Sequence, residues 1–225
     1  MLLLLTMNKE CNLKKILLII YVSAVIFGTV AQVFADDSNG QSVNREYQIK
    51  AGYLYNFFGF IDWPGDKNVN SAASFTIGVI CNQSKEEFKA ELNRLEQKTV
   101  NGKPIKVRVF DKINSTLSPG SSDADREELI DSLKKCHIIM ICQFDQGNPS
   151  SLTQFLKLFS GCGVLTVGHT PGFIDNGGNI NFISEGNKIR FEINIDTAKE
   201  NKLSIRAKLL KLAKRVISKD GEHSN

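Results

Sequence analysis

The stretch Val164–Asn194 constrains the fold of this chain more than any other. Val164–Gly168 is a short apolar run ended by glycine, the pattern of a buried strand. His169–Gly178 is rich in turn formers, with Pro171-Gly172 and Asn176-Gly177-Gly178 marking sharp reversals. Two alternating runs follow, Asn179–Ser184 and Lys188–Ile195, separated by Glu185-Gly186-Asn187. Ile180, Phe182, Ile189, Phe191, Ile193 and Ile195 recur at period two, which predicts an antiparallel hairpin with one apolar face. No nucleophile in this stretch stands beside a base.

Upstream, helical and strand periods alternate. Val43–Trp63 reads as a helix, with Tyr47, Ala51, Leu54, Phe58 and Ile61 at spacings of four and three. Its extra aromatics, Phe57 and Phe60 among them, widen the stripe, and Trp63-Pro64-Gly65 ends it. Ser74–Cys81 is a β-branched strand, Glu86–Gln97 a helix, and Ile105–Phe110 a second strand with Val107 and Val109 on one face. The polar, Ser-rich segment Asn114–Asp125 reads as an exposed loop. The helix Glu127–Lys135, the strand His137–Cys142 and the helix Asn148–Ser160 then lead back to the opening stretch. Thr197–Ser218 closes the chain as a basic helical region, and Asp36–Glu46 and Lys219–Asn225 are expected to be disordered ends. Strands alternating with helices predict crossover units. The fold class is therefore α/β: a single-domain sandwich, 47–218, with a mostly parallel mixed β-sheet flanked by helices and a C-terminal antiparallel hairpin.

The beginning of the chain reads differently. Lys14-Lys15 precede the apolar run Ile16–Val30, and Val33 and Ala35 stand three and one before a cut after Ala35. Residues 1–35 therefore read as a secretory signal peptide. The rival reading is an uncleaved membrane anchor, but a 15-residue apolar run spans only about 22 Å of a ~30 Å hydrocarbon core. Without residues 1–35 the chain carries 25 basic and 23 acidic residues, a net of +2. That is too near neutral for a nucleic-acid binder.

Export makes cysteine pairing possible for Cys81, Cys136, Cys142 and Cys162. Cys81 and Cys142 sit at strand ends, and Cys136 and Cys162 at strand starts. Like ends of parallel strands lie together, which favours Cys81–Cys142 and Cys136–Cys162 if those strands are neighbours. No Cys-x-x-Cys, dinucleotide fingerprint, phosphate loop or Gly-x-Ser-x-Gly elbow is present, and the histidines lack partners at metal-ligand spacing. No cofactor or metal is expected, and His137 reads as a satisfied, partly buried histidine. Arg190 could anchor an acidic ligand, or pair with Glu192 at the surface of its strand.

Several of these segments occur in an order and spacing that resemble the YfiR family. They are Ile49–Phe57 with Phe60-Ile61-Asp62-Trp63-Pro64, Cys136–Ile141, Leu165–Gly168, Gly172-Phe173 with Gly177-Gly178, Arg190–Asn194 and Leu209–Ala213. The resemblance covers residues 47–217. It implies a periplasmic regulator, not an enzyme, that binds the periplasmic region of a membrane-bound diguanylate cyclase and holds it inactive. Loss of such restraint raises cyclic di-GMP and promotes biofilm. It also implies homodimers and redox-sensitive disulfides. Cys136 matches a family cysteine, but the family's first-strand cysteine would fall near Gly78, which leaves Cys81 or no residue as its partner by analogy. His169 stands where an aspartate is common. The expected partner surfaces are the aromatics Phe57, Phe60 and Trp63 and the loop carrying Gly172, Phe173, Gly177 and Gly178. The alternatives are a small-ligand receptor with a pocket near that loop, and a thiol oxidoreductase.

Overall fold

Alternation of β-branched runs with helical segments brings nine strands into one sheet. The structure, a computed structural model, describes residues 37–68, 71–81, 86–111, 113–117, 120–143 and 149–224. The chain divides into two compact units, Met1–Arg45 and Glu46–Asn225. Of the first, residues 37–45 are described, as the opening of helix α1 (Asp37–Phe60). The predicted leader, residues 1–35, lies outside the described residues.

In the second unit α1 is followed by β1 (Ile61–Asp62), a 3-10 turn (Gly65–Lys67), β2 (Phe75–Cys81) and α2 (Glu86–Asn93). Next come β3 (Thr99–Val100), β4 (Lys103–Val109), α3 (Ile113–Leu117), α4 (Asp123–Lys134) and β5 (Ile138–Gln143). The chain continues through α5 (Pro149–Lys157), β6 (Leu165–Gly168), β7 (Ile180–Glu185) and β8 (Lys188–Asn194). It ends with α6 (Ile195–Glu200), β9 (Ser204–Ile205), α7 (Ala207–Leu210), β10 (Arg215–Ser218) and β11 (Gly221–Ser224).

The large sheet runs β11-β10-β8-β7-β6-β5-β2-β4-β3. Its middle, from β4 to β7, is parallel, and β8 turns back antiparallel to β7 as the hairpin. Central strands buried on both faces need continuous apolar runs, whereas a strand with one wetter face needs alternation. β6 is buried at every position, while β8 alternates, with Ile189, Phe191 and Ile193 inward. One core fills the face under α1, with Leu54, Phe57, Phe58, Trp63, Phe182 and Phe191. A second core, with Leu133, Phe155, Phe159, Phe173 and Ile174, fills the other.

The sandwich agrees with the sequence-based fold class, and three local expectations are corrected. Helix α1 stops at Phe60, not Trp63, because Ile61 and Asp62 pair as a strand with Ile205 and Ser204. The expected loop Asn114–Asp125 contains α3 and the start of α4, where Ser122 Oγ accepts the Asp125 N–H and Asp123 and Asp125 fill the first turn. The helix expected over Thr197–Ser218 is broken into α6, β9, α7 and β10, and the following tail carries β11. Asn201 is the stop: it is buried, and its amide donates to Val164 O and Asn179 Oδ1. Lys202 then takes a positive φ of 59° and turns the chain away from a helical path. β10 lies parallel to β8, so sheet pairing overrides an apolar pattern that reads equally well as helix.

Candidate functional site

The loop between β6 and β7 closes over its own aromatic residue. Phe173 is 1 % exposed, and β-carbons built on Gly168 and Gly178 would lie 2.3 and 2.1 Å from its ring. Only glycine at both positions lets the loop fold back onto that ring. Gly172 and Gly177 make the corners with φ of 74° and 100°, and Asn176 Nδ2 donates to Gly172 O across 2.8 Å. Beneath the loop, Asn179 is wholly buried and forms a polar hub. Its Oδ1 accepts from Thr166 N, Thr166 Oγ1 and Asn201 Nδ2 at 2.9–3.0 Å, and its Nδ2 donates to Thr197 Oγ1. A satisfied hub of this kind holds the loop in one position relative to the sheet.

Between this loop and the hairpin lies an open cavity of about 440 Å³, with His169, Asn181, Phe182, Ser184, Glu192 and Arg215 in its lining. Arg215 on β10 joins its sides. Its Nε donates to Glu192 Oε1 at 2.7 Å, and its two terminal nitrogens donate to the Asp175 carboxylate at 3.2 and 3.0 Å. Hydrogen bonds to Asp175 and Glu192 push its pKa further above the ordinary arginine value. At the rim, His169 Nε2 stands 3.6 Å from Glu46 Oε1, and Glu46 also pairs with the buried Lys50. Burial, and then the Lys50 charge, lower the His169 pKa, against an opposing pull from Glu46.

The residues proposed from sequence divide into two groups. Phe57, Trp63 and Phe173 are 0–2 % exposed and Gly178 is buried, so these four are packing residues and not surface. Phe60, Gly172, Gly177, Arg190 and Glu192 remain partly exposed. Glu192 is paired with Arg215 from β10, which no local spacing foretold, instead of with Arg190. His137 is buried, and its Nδ1 accepts the Thr76 N–H at 3.2 Å, among the rings of Phe58, Trp63 and Phe75.

Cys81 and Cys142 form a disulfide across the ends of β2 and β5, with Cα atoms 5.1 Å apart. The regular register, in which Ile80 pairs with Ile141, ends there, and a shift between Ile80 and Cys81 then pairs Cys81 with Gln143. The pairing Cys136–Cys162 does not form, and both thiols are free. β5 and β6 are neighbours, but the register Ile138↔Leu165 offsets the two cysteines. Their sulfurs face different carbonyls, Ser132 O for Cys136 and Leu158 O and Ser160 O for Cys162. Sequence reasoning missed Lys67, whose ammonium donates to the carbonyls of Lys134, Cys136, Cys162 and Gly163. Among the described residues no group of His, Cys, Asp and Glu is arranged to hold a metal ion.

Comparison with known proteins gives a family and little more. The YfiR/HmsC-like family, DUF4154, matches residues 47–214. None of the curated proteins matches the chain. Among solved structures, the ABC domain in complex with L-Trp from Streptococcus pneumonia is 16% identical, with a TM-score of 0.43, over 64% of this chain and 55% of that one. A conserved domain protein from Vibrio cholerae is 12% identical, with a TM-score of 0.41, over 63% of this chain and 54% of that one. The chain thus spans about half the length of these structures. The family match covers the α/β sandwich from α1 through the turn before β10, and the chain belongs to the YfiR/HmsC-like family.

Proposed function

We propose that this protein is an exported, non-enzymatic regulator that binds the periplasmic region of a membrane-bound diguanylate cyclase and holds that enzyme inactive. Restraint of the cyclase would keep cyclic di-GMP low and limit biofilm formation. The observation that carries the reading is the family match over residues 47–214. The architecture suits it: a loop fixed by the Asn179 hub and tied to β10 through Asp175 and Arg215 offers a preorganised face. Such a protein inhibits by preferring the inactive receptor conformation, and its effect is limited by that difference in affinity. The partly exposed Gly172, Gly177, Arg190 and Phe60 are the candidate contact residues, and the working form is a homodimer. The test is binding of the exported protein to the periplasmic regions of its host's membrane diguanylate cyclases, with and without reductant. Saturable binding to one of them supports the reading, and binding to none under either condition overturns it.

The cavity beside Arg215 favours a second reading, a small-ligand receptor. A ligand that raises the melting temperature in the absence of any protein partner supports it.

A further inference from the structure

The segment that follows α6 is basic. From Asn201 to Lys219 the chain carries Lys202, Arg206, Lys208, Lys211, Lys214, Arg215 and Lys219 and no acidic residue. Several of these cations are spent internally: Arg206 on Asp62, Lys214 on Glu185, Arg215 on Asp175 and Glu192, and Lys219 on Glu200. Lys208 and Lys211 are exposed and have no ion pair among the described residues. Lys208 stands over the partly exposed Phe60 ring, 5.8 Å from its centre. Directly after Lys211 comes Leu212, which at 52 % is the most exposed large apolar side chain described.

The turn that carries these residues is built, not frayed. Leu209 and Ala213 are 2 % and 0 % exposed and anchor it on both sides. Lys211 N donates to Ala207 O, Leu212 N to Leu209 O and Ala213 N to Leu210 O. The fold therefore holds one leucine outward on a turn that carries exposed lysines, one of which, Lys208, lies over the partly exposed Phe60.

We propose that this turn docks the protein onto an anionic lipid bilayer, with Leu212 entering the headgroup boundary and Lys208 and Lys211 among the phosphates. Charge complementarity selects the occupant. The arginines, whose planar forks suit the carboxylates of a protein partner, are already engaged. The free cations are lysines, flexible stems ending in point charges, which accommodate headgroups in any orientation. The acidic neighbours Asp62 and Glu185 are neutralised by Arg206 and Lys214, so the turn keeps a net positive charge. No described helix is long and apolar enough to cross a membrane. Each lysine near an anionic surface raises affinity by about fivefold, so docking is weak alone. It acts by confining the protein to the plane of a membrane-anchored partner, which raises the effective concentration of one for the other. This role rests on the exported regulatory reading.

The test is co-sedimentation of the exported protein with vesicles of phosphatidylglycerol and phosphatidylcholine, against phosphatidylcholine alone. Binding to the anionic vesicles only, abolished by salt near ~0.5 M, is expected. Lys208→Glu with Lys211→Glu should weaken it at least tenfold. Leu212→Asn should weaken it severalfold without altering the salt dependence, and Lys106→Glu on β4 should leave it unchanged. Equal binding to both vesicle types, or wild-type binding by the double variant, overturns the proposal. So does a double variant that keeps vesicle binding but loses the soluble cyclase region, because the turn then serves a protein contact. The vesicles contain no protein, so the vesicle-binding outcomes are independent of whether a cyclase is the partner.

Discussion

Gly78 and Cys136 face each other so closely that a β-carbon built on Gly78 would lie 3.0 Å from the Cys136 sulfur. The same β-carbon would stand 3.1 Å from the Phe110 ring. Gly78→Ala therefore overpacks a site with no slack and should cost about 1–3 kcal/mol, read as a lower urea midpoint at unchanged slope. Gly78→Cys should instead bridge position 78 to Cys136 under oxidising conditions, at the place where the family resemblance put a first-strand cysteine. Non-reducing peptide mapping checks it. A Cys136 thiol that stays free in the oxidised variant would falsify the geometry.

The two native free thiols should differ sharply in reactivity. Burial pushes the Cys136 pKa up to about 11, against the opposing pull of Arg108 and Lys67. At pH 8 it is a buried, protonated thiol and a poor nucleophile. Alkylation of the native protein should modify the half-exposed Cys162 first and reach Cys136 only on unfolding, as intact mass will report. A fast-reacting Cys136 would revive the thiol oxidoreductase alternative. Reduction of Cys81–Cys142, which are separated by 61 residues, should lower stability by about 2–4 kcal/mol.

Lys67 is the second vulnerable point. Its ammonium gathers carbonyls from the end of α4, the approach to β5 and the approach to β6. Lys67→Met keeps the stem and strips the donor, leaving those carbonyls without a charge-assisted partner. The expected loss is about 2–3 kcal/mol, a fall of roughly 4–12 °C in melting temperature for a domain of this size. Unchanged melting would mean that water replaces the ammonium at no cost.

What the sequence made legible follows from how local each signal is. The β7–β8 hairpin, the buried strands and the Cys81–Cys142 pairing rest on period, turn residues and the rule that like ends of parallel strands meet. The C-terminal region failed because Ile205, Leu209, Leu212 and Val216 fit a helical stripe, while Asn201 and the partner β8 that break it act from a distance. The aromatic surface failed for a related reason. Phe57 and Trp63 announce a stripe, but only the sheet they pack on decides that they are covered. Arg215 and Lys67 were invisible as site residues, since each finds its partners on other segments of the chain.

His169 gives the rim of the cavity a pH dependence whose sign is fixed. Burial and the neighbouring Lys50 disfavour the protonated ring in the folded state, so its pKa lies below the ordinary 6.5. The unfolded chain then takes up the proton first. The stability contribution is complete above pH 6.5 and is lost as pH falls from there toward the folded value, below which it levels off. Because the side chain is 37% exposed and Glu46 offsets part of the penalty, the loss should not exceed about 1 kcal/mol. Denaturation midpoints between about pH 5 and 8 should therefore slope downward toward acid in the wild type and flatten in His169→Asn. Parallel profiles for the two proteins would show that the ring titrates identically in the folded and unfolded chains, and that Glu46 cancels Lys50 and burial together.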